Sequence, residues 1–341
     1  MRVAVVGATG AVGRVMLETL EQRGFPASEI VPFASERSAG RELDNGMVVR
    51  PLAEDTIKGY DLAIFSAGGG VSGEWAPRFA ADGAVVVDNS SRWRTDPEVP
   101  LVVAEVNPEA LDAHRGIVAN PNCSTMQLMV ALKPIHDVAG IERLVVSTYQ
   151  SVSGTGVAAI DEMRAQERAI LAGEQPPSPE IYPYVIADNV IGAAGNFREG
   201  DDSTDEERKM MFETRKILAD HSIGISVTCA RVPVPFGHSE SVNVQTREPL
   251  SAADCRALLE QAPGIAVLDD PSRHLHPTAR DAAGRDEVFV GRIRDDESHP
   301  MALNLWVVSD NLRKGAATNA VQLAELLHSR GLVGSRSGSP A

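Results

Sequence analysis

Cys123 lies in the run Asn120-Pro121-Asn122-Cys123-Ser124-Thr125, followed by apolar residues at Leu128, Ala131, Leu132 and Ile135. That spacing predicts a helix opening at the cysteine. A thiol there meets the positive end of the helix dipole and unpaired backbone N–H groups, both of which favour the nucleophilic thiolate. The same Asn, Ser and Thr neighbours would equally suit an ordinary helix cap with an incidental cysteine. A thiolate nucleophile needs a proton partner within hydrogen-bond reach. Of the eight histidines, His238 is best placed, in the loop Pro233-Val234-Pro235-Phe236-Gly237-His238 between two strands. Arg231, at the end of the preceding strand, offers a planar fork for a substrate carboxylate, against the commoner fate of a surface ion pair.

A second constellation opens the chain. Val3 to Val6 is a β-branched run followed by Gly7-Ala8-Thr9-Gly10-Ala11-Val12-Gly13 and an apolar helical pattern. Such a strand–glycine turn–helix unit lets a pyrophosphate approach the backbone at a helix N-terminus. The spacing is GxxGxxG rather than GxGxxG, so a plain tight turn stands as the alternative. After the next strand, Glu36 would suit the ribose hydroxyl of NAD, whereas Ser35, Arg37 and Ser38 would suit the 2′-phosphate of NADP, unless the loop is simply solvated. Ser203-Thr204-Asp205-Glu206 has capping-box spacing, with Glu206 reaching back to the Ser203 N–H. Lys209, a turn later, pairs by default with Asp205 or Glu206. Cys229 and Cys255 fall in a strand and a helix, where burial makes thiols inert. His274 and His276 lie near Asp269 and Asp270 without a further ligand pattern, so no metal site is expected.

These groups need a scaffold. Strands at Val3–Val6, Glu29–Phe33, Leu62–Ser66 and Ala84–Asp88 alternate with helices, including one expected at Gly73–Ala81, which predicts a parallel sheet covered on both faces. Beyond about residue 121 the texture changes to longer strands at Arg143–Gln150, Ile223–Val234, Ser239–Arg247, Val288–Arg294 and Ala302–Val308. A mixed or antiparallel sheet in a second domain is expected there. A last helical stripe runs Ala317–Leu327, and the Ser/Gly-rich end, 334–341, reads as a flexible tail.

With 341 residues, two domains fit, each able to bury a core. The net charge of −15 argues against nucleic acid or an anionic membrane as partner. No apolar run approaches the roughly 18 residues of a membrane span, and the start lacks a secretion signal, so a cytoplasmic setting is expected. Three widely spaced cysteines do not form a disulfide framework.

The chain resembles aspartate-β-semialdehyde dehydrogenases. The resemblance is carried by Val5–Gly13, Ala34–Gly40, Asn120–Thr125, Gln150-Ser151-Val152-Ser153-Gly154-Thr155-Gly156, and Arg231-Val232-Pro233-Val234 with Gly237-His238-Ser239, five blocks in the family's order. It implies an α/β chain with a Rossmann-type NADP-binding domain over residues 1–121, completed by a C-terminal helix at 315–331. An α+β catalytic and dimerisation domain would span 122–314. The implied reaction is NADPH-dependent reductive dephosphorylation of L-4-aspartyl phosphate to L-aspartate 4-semialdehyde, toward lysine, methionine, threonine and diaminopimelate, in a homodimer or larger assembly.

By residue-for-residue matching, the resemblance implies that Cys123 is the nucleophile that forms a thioester, His238 the acid/base and Gln150 a substrate-orienting group. Arg231 would clamp the α-carboxylate, Glu206 the substrate ammonium, and Arg94, Asn122 and Lys209 the phosphate. The cofactor would lie on Gly7, Thr9, Gly10, Ala11, Val12 and Gly13, with Ser35, Arg37 and Ser38 at the 2′-phosphate and Ser153, Gly154 and Asn311 at the nicotinamide. The segment Ile186–Gly195 departs from the family pattern. The rival readings are N-acetyl-γ-glutamyl-phosphate reductase, which uses the same thioester logic, and a non-catalytic NADP-binding redox sensor.

Overall fold

Strand β1 (Arg2–Val6) carries Val3, Ala4, Val5 and Val6, all without solvent exposure, as a strand covered on both faces requires. In the computed structural model, which describes residues 1–334, it is a central strand of a six-stranded sheet. Its partners are β2 (Glu29–Ala34), β3 (Arg50–Pro51), β4 (Leu62–Phe65), β5 (Val85–Asp88) and β6 (Ile117–Ala119). All pairs are parallel, in the order β3-β2-β1-β4-β5-β6. The order turns back between β1 and β4, which makes their C-terminal ends the topological switch point.

Two apolar layers sandwich this sheet. Helix α1 (Ala11–Gln22) packs Met16 and Leu20 on one face beside Ala317, Val321, Ala324 and Leu327 near the end of the chain. On the other face, α2 (Gly68–Ala81) brings Phe79 against Phe33, Tyr60 and Phe65. The helix expected at Gly73–Ala81 starts five residues earlier, because packing on the sheet overrides the poor helix propensity of Gly68, Gly69 and Gly70. These elements form one unit, Met1–Asn122 together with the chain from Ala316.

The second unit is Cys123–Gly315. Helix α3 (Cys123–Ala139) leads into β7 (Ile141–Gln150), then α4 (Val157–Leu171), α5 (Asp205–Leu218), β8 (Gly224–Arg231) and β9 (His238–Thr246). After α6 (Ala252–Glu260) come β10 (Ile265–Val267), α7 (Ala279–Ala282), β11 (Val288–Asp295) and β12 (Ala302–Ser309). The sheet order is β10-β11-β12-β9-β7-β8, with β7·β8 and β10·β11 parallel and the other pairs antiparallel. The sheet is therefore mixed. Along β9 the residues His238, Glu240, Val242 and Val244 are buried, whereas Ser241 is exposed. Period-two alternation thus aims one face of β9 into the core against α3. A final helix, α8 (Asn319–Ser329), belongs to the first unit. The tail read at 334–341 lies, from residue 335 on, outside the described residues.

Candidate active site

Cys123 is the first residue of α3 and is part-buried; none of the three cysteines is in a disulfide. His238 begins β9 beside Ser309 of β12 and is fully buried. Cys123 Sγ lies 3.2 Å from His238 Nε2. On the far side of the ring, the Ser151 backbone N–H donates to Nδ1 at 3.0 Å, and the Ser151 hydroxyl sits 3.1 Å from the same atom. Burial, then the positive charge of Arg231, hold His238 well below the usual histidine range, so the ring is neutral at neutral pH. Cys229 and Cys255 are buried, and burial pushes both thiols up, Cys255 to about 12.

Arg231 closes one side of this pair. It ends β8 opposite Gln150 in parallel register, is 8% exposed, and donates from Nη1 to the Ser151 carbonyl at 2.8 Å. Its guanidinium carbon lies 5.8 Å from the Tyr182 ring centroid. Gly154 lets these groups converge: a Cβ there would stand 3.3 Å from both Arg231 Nη1 and His238 Cε1. Gln150, buried at the end of β7, donates from Nε2 to Glu206 Oε1 at 3.3 Å. Lys209 Nζ reaches Glu206 Oε2 at 3.2 Å and Asp205 at 3.0 Å. Burial alone would lower Lys209, but the two carboxylates outweigh it and hold the ammonium above its ordinary value.

The expected cap at Ser203 and Glu206 is corrected. Thr204 is the N-cap of α5, and its box partner is Glu207: Thr204 N–H donates to Glu207 Oε2 at 2.8 Å, and Glu207 N–H to Thr204 Oγ1 at 3.3 Å. Helix α5 starts one residue later than the spacing suggested, because Phe197 and Thr204 bridge as strands and the Asp205 carboxylate accepts from the Asn196 N–H. Released from capping, Glu206 faces Gln150 and Lys209.

Asn311 and Ser153 belong to a buried network behind His238. Asn311 Oδ1 accepts from Gly237 N–H at 3.0 Å, Ser151 Oγ at 2.9 Å and Ser153 Oγ at 3.2 Å, while Nδ2 donates to Ser153 Oγ at 3.0 Å. Three residues escaped the sequence reading. Ser151 was visible only as part of a motif. Glu240 stands two residues from His238, which on a strand means the same face. Gly315 faces Cys123, since a Cβ on it would come within 2.9 Å of the cysteine Cβ.

The remaining sequence-selected residues lie in the first unit. Arg94 is buried and donates from Nη2 to the Asn89 carbonyl at 2.8 Å, whereas the neighbouring Arg92 stacks over Trp93. Asn122 is buried at the end of that unit's first segment. Gly7 has φ +88°, and a Cβ there would stand 2.3 Å from the Ser66 carbonyl oxygen. A Cβ at Gly13 would stand 2.2 Å from the Gly7 carbonyl oxygen. Both glycines are therefore obligatory for a turn this tight at the switch point. Among the described residues no side chain caps α1, whose first-turn N–H groups, on Ala11, Val12 and Gly13, follow Thr9 and Gly10. Ser35 and Arg37 are exposed just after β2, beside the half-buried Ser38.

A doubly wound unit with a glycine turn at its switch point, joined in one chain to a mixed-sheet unit that sets a helix-start cysteine beside a histidine, is the arrangement of a dinucleotide-binding dehydrogenase. The family model for the semialdehyde dehydrogenase NAD binding domain matches residues 2–114, and that for the semialdehyde dehydrogenase dimerisation domain matches residues 132–314. The chain belongs to the aspartate-semialdehyde dehydrogenase family. It is 53% identical to the aspartate-semialdehyde dehydrogenase of Aquifex aeolicus over 97% of this chain and 99% of that one. A solved structure of aspartate semialdehyde dehydrogenase II from Vibrio cholerae, complexed with ASA, superposes with a TM-score of 0.92 at 49% identity, covering 96% of this chain and 98% of that one. The Candida albicans enzyme, solved with NADP, superposes at 0.73 and 27% identity, covering 97% and 99%. Among the described residues no helix is long and apolar enough to cross a membrane.

Proposed function

We propose that the chain catalyses the NADPH-dependent reductive dephosphorylation of L-4-aspartyl phosphate to L-aspartate 4-semialdehyde through a thioester on Cys123. The observation that carries this reading is the 3.2 Å contact between Cys123 Sγ, at the first residue of α3, and His238 Nε2. Cys123 attacks the acyl carbon as the bond to the phosphate oxygen breaks, and phosphate leaves with the electron pair. His238 acts as the acid/base partner of the reacting carbonyl oxygen. Gln150 orients the substrate, Arg231 holds its α-carboxylate by a two-pronged contact and Glu206 its ammonium. Arg94, Asn122 and Lys209 are assigned to the phosphate on the sequence match.

The glycine turn supports a dinucleotide, since side chains are excluded at Gly7 and Gly13 and helix N–H groups follow at Ala11 and Val12. Arg37, with Ser35 and Ser38, supports NADP over NAD. Ser153, Gly154 and Asn311 are assigned to the nicotinamide side. When bound, the cofactor supplies the hydride that takes the thioester to the aldehyde level. The homodimer is supported by the dimerisation-domain match and by the sheet face opposite α3, where the tilted rings of Tyr149 and Trp306 pack together partly exposed with centroids 5.4 Å apart. A cytoplasmic setting is supported by three cysteines outside any disulfide.

The test is mass spectrometry of Cys123 after incubation with aspartate semialdehyde and NADP without phosphate. An acyl adduct on that residue is expected. Cys123→Ala should abolish both the adduct and phosphate-dependent reduction of NADP, and retained turnover in that variant refutes the assignment.

A further inference from the structure

Behind the cysteine–histidine pair stands a donor that cannot be switched off. The Ser151 backbone N–H points at His238 Nδ1 from 3.0 Å. A hydrogen on Nδ1 would face that N–H head-on, so Nδ1 must present its lone pair. The nearby Ser151 hydroxyl does not reverse this, because it can rotate and the amide cannot. Its hydrogen also has an acceptor of its own. The Gly237 N–H fixes the orientation of the Asn311 amide by donating to Oδ1, and Ser151 Oγ lies 2.9 Å from that oxygen, which can only accept.

A neutral imidazole carries one ring hydrogen. If Nδ1 is an acceptor, the hydrogen is on Nε2, the atom 3.2 Å from Cys123 Sγ. We propose that the Ser151 backbone N–H locks His238 in the Nε2–H tautomer, so that the ring donates a hydrogen bond to Cys123, and that this donor together with the N-terminus of α3 holds the resting sulfur as a thiolate. Ser151 is thus a positioning residue. Its carbonyl meanwhile accepts from Arg231, so one peptide segment orients the ring and the carboxylate clamp together. A doubly protonated ring is opposed by the same N–H, by complete burial and by the Arg231 charge.

The proposal narrows the acid/base role of His238 in acylation to that of a hydrogen-bond donor and rests on Cys123 being the nucleophile. With a thiolate at rest, acylation needs no base: the S–C bond forms, the C–O bond to phosphate breaks, and phosphate carries off the electron pair. No proton leaves the ring. As charge passes from sulfur to the carbonyl oxygen, the Nε2–H is positioned to follow it as a hydrogen-bond donor.

The experiment uses the full chain labelled with ¹⁵N-histidine and a long-range ¹H–¹⁵N correlation spectrum of the unliganded protein. The His238 signals are those lost in His238→Asn. Nδ1 is expected to resonate as an unprotonated nitrogen and Nε2 as a protonated one across about pH 6–8. An Nδ1–H tautomer or a doubly protonated ring in that window overturns the proposal. Ser151→Ala keeps the backbone N–H and is expected to keep the tautomer; a switch would show that the hydroxyl decides, and would also overturn it.

Alkylation of Cys123 by iodoacetamide, located by mass spectrometry, reads the sulfur independently. Its rate is expected to stay flat over the same window, whereas a thiol with a pKa of about 8.5 gains about tenfold per unit. A tenfold rise per unit overturns the thiolate. Both readouts precede substrate, so they can fail while the acyl adduct forms, or hold while it does not.

Discussion

Gly315→Ala tests how tightly the nucleophile is placed. Gly315 lies in the π-helical stretch Arg313–Thr318, and a Cβ on it would stand 2.9 Å from Cys123 Cβ and 3.3 Å from Cys123 Cα. Carbon atoms in contact settle at about 3.5–4.0 Å, so the cysteine must retreat by about 0.6–1.1 Å. Its sulfur starts 3.2 Å from His238 Nε2, and a displacement of that size breaks the contact. Misplacing a reacting group by about 1 Å costs about 10²-fold in rate, or about 2.7 kcal/mol in activation free energy. Overpacking adds a stability loss of about 1–3 kcal/mol. The assay is kcat/KM for phosphate-dependent NADP reduction by aspartate semialdehyde, per mole of Cys123 titrated with iodoacetamide, beside a thermal melt. Gly192→Ala is the control, because no described residue lies within 4 Å of its added Cβ and its φ is not left-handed. Wild-type kcat/KM and melting in Gly315→Ala would refute the reasoning.

Glu240→Gln should stabilise the protein increasingly as pH rises. Glu240 is fully buried, neither carboxyl oxygen has a hydrogen-bond partner among the described residues, and burial holds it well above the usual carboxylate range, eased only in part by Gln127. A raised folded value gives a contribution that is full below the unfolded value of about 4.3 and lost as pH climbs through the folded one. The wild type should therefore fall behind the variant by up to about 1.4 kcal/mol for each pH unit between the unfolded and the folded value, and by no more above it, read from urea unfolding at several pH values. A gap that does not change with pH would contradict this. Gly70→Ala, on α2 with open space around the new methyl group, should raise the unfolding free energy by about 0.5–1 kcal/mol in the same assay, and a loss would show that the first turn of α2 needs glycine there.

Much of the fold was legible because periodicity is local. The runs read at Val3–Val6, Leu62–Ser66 and Ala84–Asp88 could satisfy a continuous apolar pattern only in a parallel sheet covered on both sides. The second sheet was legible as mixed or antiparallel, but its order was not, since strand partnership is a long-range choice. The start of α2 was misplaced for a related reason: three glycines argue against a helix until packing supplies the missing stability. The α5 cap was misread by one residue because two adjacent candidates, Ser203 and Thr204, carry equivalent hydroxyls, and only the Phe197–Thr204 bridge distinguishes them.

Sequence alone determined which side chains could do chemistry: a cysteine at a helix start, a histidine read in a strand-joining loop that proves to be the first residue of β9, an arginine at a strand end and glycines at a βα turn. Tertiary structure decided their state. It brought Sγ and Nε2 together across 115 positions of chain, turned Glu206 toward Gln150, and placed an immovable backbone N–H behind the imidazole. Residue type and spacing fix a group's intrinsic reactivity and its local conformation. Which lone pair or hydrogen it presents depends on neighbours that only the folded chain supplies.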